Sequence, residues 1–202
     1  MILIGITGIV GSGKTTVSDM LRKKGIEVID LDKVAKEISN QEDVKNDIKK
    51  LFGETYITED GVVVEKIKEL VFKDKEKLKI LENIIHPRVG QHMYDRINKL
   101  EGKGIKTVVI DAPLLYEKGL NKELNKVVVV STSAARTRER LIKRGMDEKD
   151  IKRRTAIQIT LKEKEAMADL VIRNDGTIEE LKKEVDDLIN RIEAWEEELY
   201  AS

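Results

Sequence analysis

Eight residues near the start of the chain, Gly8-Ile9-Val10-Gly11-Ser12-Gly13-Lys14-Thr15, read G-x-x-x-x-G-K-T. An apolar run, Ile2-Leu3-Ile4-Gly5-Ile6, precedes them, and a helical pattern from about Lys14 to Lys24, closed by Gly25, follows. A strand, a glycine turn and a helix in that order make a cradle for phosphate. The glycines let the backbone wrap tightly, amide N–H groups converge on the phosphate oxygens, and the helix N-terminus adds its positive field. In such a cradle Lys14 contacts the β- and γ-phosphates, Thr15 offers its hydroxyl to Mg²⁺, and Thr16 adds a hydroxyl near the α-phosphate. A glycine turn with a surface lysine is the alternative, and the flanking strand and helix weigh against it.

The rest of the chain alternates strand and helix. Ile26 to Asp30, Lys106 to Asp111, Lys126 to Ser131 and Leu170 to Arg173 are short Val/Ile-rich runs between helical stretches. That pattern predicts a three-layer α/β fold with five parallel strands covered by helices. The core is expected in residues 1–38, 103–132 and 169–202. Two stretches interrupt it: residues 39–102, mostly helical with a turn at Glu59-Asp60-Gly61, and residues 133–168, helical and rich in Arg and Lys. The first reads as an inserted subdomain and the second as a lid. Ile178, Leu181, Val185, Leu188, Ile192, Trp195 and Leu199 form one apolar stripe on the last helix. The stripe fits a helix packed on the sheet better than a dimerising coiled coil, because it is barely three heptads long.

Composition removes several classes. Lys plus Arg and Asp plus Glu both number 38, so the chain lacks the basic excess expected of a nucleic-acid binder. Without cysteine there is no disulfide framework, which suits a reducing cytoplasm. The apolar start has no basic leader and runs straight into the glycines, so it reads as a buried strand rather than a signal peptide. No apolar run reaches membrane-spanning length. The third strand continues from Asp111 into Ala112-Pro113, not into a D-x-x-G turn, and neither Asn121-Lys122-Glu123-Leu124 nor Asn125-Lys126-Val127-Val128 completes an N-K-x-D guanine motif. A GTPase is therefore disfavoured, and the size and late arginines favour a small-molecule kinase.

Val28-Ile29-Asp30-Leu31-Asp32 ends the second strand, and ligands of open parallel sheets gather at such carboxyl ends. One aspartate suits Mg²⁺-bound water and the other suits the proton of an attacking hydroxyl. Capping of the following helix is the alternative reading of Asp32. Arg136, Arg138, Arg140, Arg144, Arg153 and Arg154 lie in the lid region. A guanidinium brought in by lid closure stabilises charge on a phosphoryl group being transferred, yet with Glu139, Asp147, Glu148 and Asp150 interleaved, several must be solvated ion pairs. Spacing alone does not choose among the six.

Taken together the motifs resemble the dephospho-CoA kinase family. The matching segments are Thr7-Gly8-Ile9-Val10-Gly11-Ser12-Gly13-Lys14-Thr15, Val28 to Ala35, Val71-Phe72, His86-Pro87, Asp111-Ala112-Pro113-Leu114-Leu115-Tyr116-Glu117, Arg140 to Arg144, Arg154 to Gln158 and Ala168 to Gly176. They run in order along nearly the whole chain. The resemblance implies transfer of the ATP γ-phosphate to the 3′-hydroxyl of dephospho-CoA, with Mg²⁺, in a cytoplasmic monomer or weak homo-oligomer that engages neither nucleic acid nor membrane. It implies Asp32, Lys14 and Arg140 as catalytic groups. Gly8, Gly11, Ser12, Gly13, Lys14, Thr15, Thr16, Arg140, Arg144, Asn174 and Gly176 would hold ATP, with Asn174 and Gly176 beside the adenine. Asp32, His86, Leu114 and Glu117 would face dephospho-CoA, and Thr15, Asp30 and Asp111 the metal. For His86 the alternative is orientation of Pro87 and the start of the next helix, and for Asp111 it is fixing the Pro113 turn. His92 lacks motif support and reads as a surface residue. The chain departs from the family at Val64, where many members carry Arg, a contact to be lost or supplied by Lys66 or Lys68. Another nucleoside or nucleotide kinase, or a non-catalytic ATP-binding regulator, is the competing reading.

Overall fold

A computed structural model describes residues 1–58 and 61–201, with the side chains at positions 64, 65, 68, 72 and 73 outside the description. In chain order the elements are β1 (Ile2–Thr7), α1 (Lys14–Lys23), β2 (Glu27–Asp30), α2 (Leu31–Ser39), α3 (Glu42–Phe52), β3 (Ile57–Thr58), β4 (Gly61–Val62), α4 (Val64–Lys73), α5 (Lys75–Glu101), β5 (Thr107–Asp111), β6 (Lys126–Ser131), α6 (Ala134–Lys143), α7 (Glu148–Ala156), α8 (Leu161–Ala166), β7 (Leu170–Arg173) and α9 (Ile178–Ala201). Residues Met1–Ile29 with Lys103–Ser202 form one compact unit and Asp30–Gly102 another.

The first unit is built on the five-stranded parallel sheet that the Val/Ile runs predict, in the order β2-β5-β1-β6-β7. Chains of β-branched residues make it: all five residues of β5 are buried, as are the last five of β6. Such residues suit a sheet covered on both faces. β1 lies at the centre, parallel to β5 on one side and β6 on the other. Asp169 sets the outer register, because its backbone N–H donates to the Val127 carbonyl while its carboxylate accepts from the Val127 N–H at 2.7 Å.

One face of the sheet packs on α1 and α9. Ile2, Ile4, Ile6, Val128, Val130 and Ile172 meet Val17 and Leu21 of α1 and Leu181, Val185, Leu188, Ile192 and Trp195 of α9. From Leu181 to Trp195 the apolar stripe of the last helix is thus buried on the sheet, as the first of its two readings has it, while its ends, Ile178 and Leu199, are exposed. On the opposite face a Cβ at Gly5 would fall 2.4 Å from Leu115 Cδ1 and 2.6 Å from Leu124 Cδ1. Glycine lets the chain after β5 lie directly on β1.

The second unit is helical, with a small hairpin. Asp30 caps α2, its Oδ1 accepting from the Lys33 N–H at 3.1 Å. This corrects the capping alternative for Asp32, which lies two residues on, within the first turn of α2, and is exposed. A cap residue keeps an extended backbone, and Asp30 still belongs to the strand. The helix begun by Asp74 runs unbroken to Glu101 with Pro87 inside it, so no new helix starts there for His86 to orient. Proline removes one helix hydrogen bond and crowds the preceding turn. Here Arg88 braces the site, donating to the Ile84 carbonyl at 2.9 Å and to Asp43 and Asp47 of α3 at 3.1 and 3.0 Å. His86 is exposed and His92 half-buried. The turn expected at Glu59-Asp60-Gly61 falls on Glu59 and Asp60, which lie outside the described residues, as do the side chains of Val64, Lys68 and Phe72; β3 and β4 pair antiparallel. Among the described residues, no helix is long and apolar enough to cross a membrane.

Leu188 is 1% exposed in the packed stripe, whereas Ile178 at the start of α9 is 46% exposed. Leu188→Ala is expected to destabilise the protein by about 2–5 kcal/mol and Ile178→Ala by less than about 0.5 kcal/mol. Denaturant unfolding of both variants measures the difference.

Candidate active site

The loop between β1 and α1 follows from its glycines. Gly11 and Gly13 adopt φ of 84° and 97°, a left-handed region that other residues enter only at a cost. A Cβ at Gly13 would also fall 2.0 Å from Asn174 Nδ2, and one at Gly8 2.5 Å from the Val130 carbonyl oxygen. Gly13 occupies the N-cap of α1 without any capping side chain. Free N–H groups at such a helix start present a positive end to an anion.

Side chains from the rest of the unit close around this loop. Lys14 forms an ion pair with Asp111 at the end of β5, and the two side chains are 13% and 2% exposed. Ser18, one turn further along α1, donates to the other Asp111 oxygen at 2.6 Å. The aspartate expected to hold a metal or to fix the Pro113 turn thus holds the loop lysine. Sequence reading overlooked Ser18, whose only signal is its place four residues after Lys14 on one helix face.

A second set fixes Ser12. Its carbonyl accepts from Arg140 Nη1 at 3.2 Å and from Asn174 Nδ2 at 2.7 Å, while Arg140 Nη2 donates to the Asn174 carbonyl and Oδ1 at 2.9 and 3.2 Å. Arg140 comes from α6 and Asn174 from just after β7. Asp175 joins these two elements, accepting from the Ser133 N–H at 2.7 Å and from Thr132 Oγ1 at 3.1 Å. The Ser133 N–H, more than the nearby hydroxyls and Arg140, holds its carboxyl below the ordinary 3.8.

The other expected site residues are more dispersed. The Thr15 hydroxyl is exposed and Thr16 half-buried. Arg136 pairs with Glu139, Arg138 with Glu148 and Arg153 with Asp150. Arg144 and Arg154 are exposed. Gly176 has a local reason to be glycine, since a Cβ there would strike Glu180 Oε2, which accepts from the Thr177 N–H at 2.7 Å. Leu114 is half-buried, and Glu117 pairs with Lys164 at 2.9 Å while accepting from the Ile159 N–H at 2.9 Å. Burial pushes the Lys164 ammonium down and Glu117 opposes the shift. Burial also pushes the Tyr116 phenol up to about 12, with Asp169 adding to the effect.

The family model for dephospho-CoA kinase matches residues 2–180. The chain belongs to the dephospho-CoA kinase family. A dephospho-CoA kinase of Corynebacterium glutamicum is 36% identical over 195 residues, covering 95% of this chain and 98% of its own. One from Shouchella clausii is 39% identical over 189 residues, 92% of this chain and 96% of its own. The crystal structure of TT1252 from Thermus thermophilus superposes with a TM-score of 0.83 at 32% identity, over 94% of this chain and 97% of that one. The chain is accordingly an ATP-dependent phosphotransferase with a hydroxyl acceptor.

Two outcomes check this site. Gly13→Ala is expected to abolish ATP binding in calorimetric titration while leaving a folded protein, since the new methyl group meets Asn174 directly. For Asp175 the depressed folded pKa means stabilisation that is present above 3.8 and lost as pH falls through the folded value. Asp175→Ala should therefore lower unfolding stability at neutral pH, and the gap from wild type should close as pH falls below 3.8.

Proposed function

We propose that the chain transfers the γ-phosphate of ATP to the 3′-hydroxyl of dephospho-CoA, giving CoA and ADP, the last step of coenzyme A synthesis. The observation that carries the reading is convergence: Asp111, Arg140 and Asn174, from three separate family motifs, all bind the Gly8–Thr15 loop or its lysine. A strand-end aspartate is common to P-loop proteins, whereas the loop motif itself specifies neither Arg140 nor Asn174.

Phosphoryl transfer of this kind passes through a loose transition state, and protein groups act by positioning and by charge. Lys14 neutralises the β- and γ-phosphates from its place beside Asp111. The Gly8, Gly11, Ser12, Gly13 and Thr16 segment wraps the phosphate chain. Asn174 serves the ATP site by turning the Ser12 carbonyl away from the phosphates and aligning Arg140, and Gly176 keeps the adenine side open. Arg140 stabilises charge on the moving phosphoryl group. Arg144, which makes no ion pair among the described residues, closes on the phosphates from the lid of residues 133–168.

On the acceptor side, Asp32 takes the proton of the 3′-hydroxyl. Its place in the first turn after β2, with the cap already supplied by Asp30, supports that role. The helical subdomain of residues 39–102, including His86, receives dephospho-CoA together with Leu114 and Glu117. Mg²⁺ fits the donors present: it needs one protein hydroxyl besides phosphates and waters, Thr15 presents one, and the described residues form no carboxylate cluster. Asp30 and Asp111 would hold its waters. When bound, the ion offsets phosphate charge and orients the γ-phosphate.

ADP release with Mg-ATP, with and without dephospho-CoA, tests the assignment, with CoA identified by mass. Strong stimulation with stoichiometric CoA is expected, and no stimulation of an ATP-binding preparation would overturn it. Asp32→Asn should lower kcat by about 10²–10⁴-fold with ATP binding retained. Lys14→Ala should lower it by about 10²–10³-fold. Near-normal turnover in Asp32→Asn would remove that residue from the catalytic set.

A further inference from the structure

Lys164, on α8, is fully buried, with 0% of its side chain exposed. Its ammonium group donates to the Pro113 carbonyl at 2.9 Å, to Glu117 Oε2 at 3.1 Å and to Thr7 Oγ1 at 3.4 Å, with the Tyr116 ring 6.0 Å away. The Pro113 carbonyl gathers two more donors, Thr7 Oγ1 and Gln158 Nε2, both at 3.2 Å. Gln158 in turn accepts from the Val10 N–H at 3.1 Å. One carbonyl oxygen thus ties β1, the phosphate loop and the start of α8 to the segment that follows β5.

That segment begins with Asp111, which holds Lys14 and Ser18, and ends with Glu117. Two buried ion pairs therefore hold the ends of a seven-residue segment: Lys14 with Asp111 at one end, Lys164 with Glu117 at the other. Stability alone does not account for the second pair, because packed apolar side chains join segments without the cost of desolvating two charges. Apolar contacts, however, do not fix a carbonyl and a carboxylate to within a few tenths of an ångström, which directional hydrogen bonds do.

We infer that Lys164 is a positioning residue for phosphoryl transfer: through Pro113 and Glu117 it fixes the Asp111–Glu117 segment, and through Asp111 the direction in which Lys14 presents its ammonium group. Lys164 touches no reacting atom. The inference rests on the reading of Lys14 as the phosphate-contacting lysine.

The experiment compares wild type, Lys164→Met and the double variant Lys164→Met/Glu117→Gln in the CoA-forming assay, well below each melting temperature. Methionine keeps the length of the side chain and removes its donors. The double variant also leaves no buried carboxylate without a counter-ion, and it is read against Glu117→Gln alone, which carries what Glu117 itself contributes on the acceptor side, so it remains informative if Lys164→Met does not fold. Misplacement of a catalytic group by about 1 Å is expected to lower kcat about 10- to 100-fold in both variants, with the KM for ATP changed less than about threefold. A purely structural lysine would lower the melting temperature and leave kcat of the folded protein at the wild-type value, and that result overturns the inference. Failure of wild type itself to form CoA is a different result: it removes the underlying reading, and the positioning role with it.

Discussion

A lysine ammonium and an aspartate carboxylate, both nearly out of water, join the loop after β1 to the end of β5. Much of the first unit serves that pair. An unpaired charge at so buried a position would be costly, so Asp111 must be held where Lys14 can reach it. Parallel pairing of β1 with β5 brings Ile6 level with Asp111. Ser18 takes the second carboxylate oxygen, and the Pro113 carbonyl anchors the chain immediately beyond.

The loop itself is held from the other side. The Ser12 carbonyl is turned outward by Arg140 and Asn174, two residues carried by elements that follow β6 and β7. The end of β5, helix α6 and the residue after β7 thus each send one polar group to the same short turn. This arrangement explains how a loop of mostly small residues keeps one shape: the Ser12 carbonyl and the Val10 N–H both have fixed partners. It also places Arg140 of α6 in contact with the loop.

Some sequence signals reached the structure almost unaltered. The runs at Thr107–Asp111 and Lys126–Ser131 are buried strands, since β-branched residues in unbroken series have few other stable places. The spacing from Leu181 to Trp195 gave a helix packed on the sheet. Other features left no such trace. The hairpin of Ile57–Thr58 with Gly61–Val62 has two residues on each strand, too few for alternation to register. Pro87 argued for a helix boundary, but Arg88 and its two aspartates on α3 support an unbroken helix. Asp30 and Asp32 are equally good caps by residue type, and only the backbone at the end of β2 selects Asp30.

The chain by itself determined the parallel sheet, the phosphate loop and the membership of the family. Each depends on residues close together in sequence: β-branched runs, glycines at set spacing, short motifs in order. Which polar groups meet was decided by the tertiary structure. Lys14 and Asp111 are 97 residues apart, Ser12 and Asn174 162, Lys164 and Thr7 157. Nothing local in the sequence marks Lys164, one of two lysines on a short charged helix, as the one that leaves water. It is buried because the packing of α8 on the sheet carries it to Pro113 and Glu117, where its charge has partners. A buried ammonium is tolerable only where the fold has already placed its acceptors.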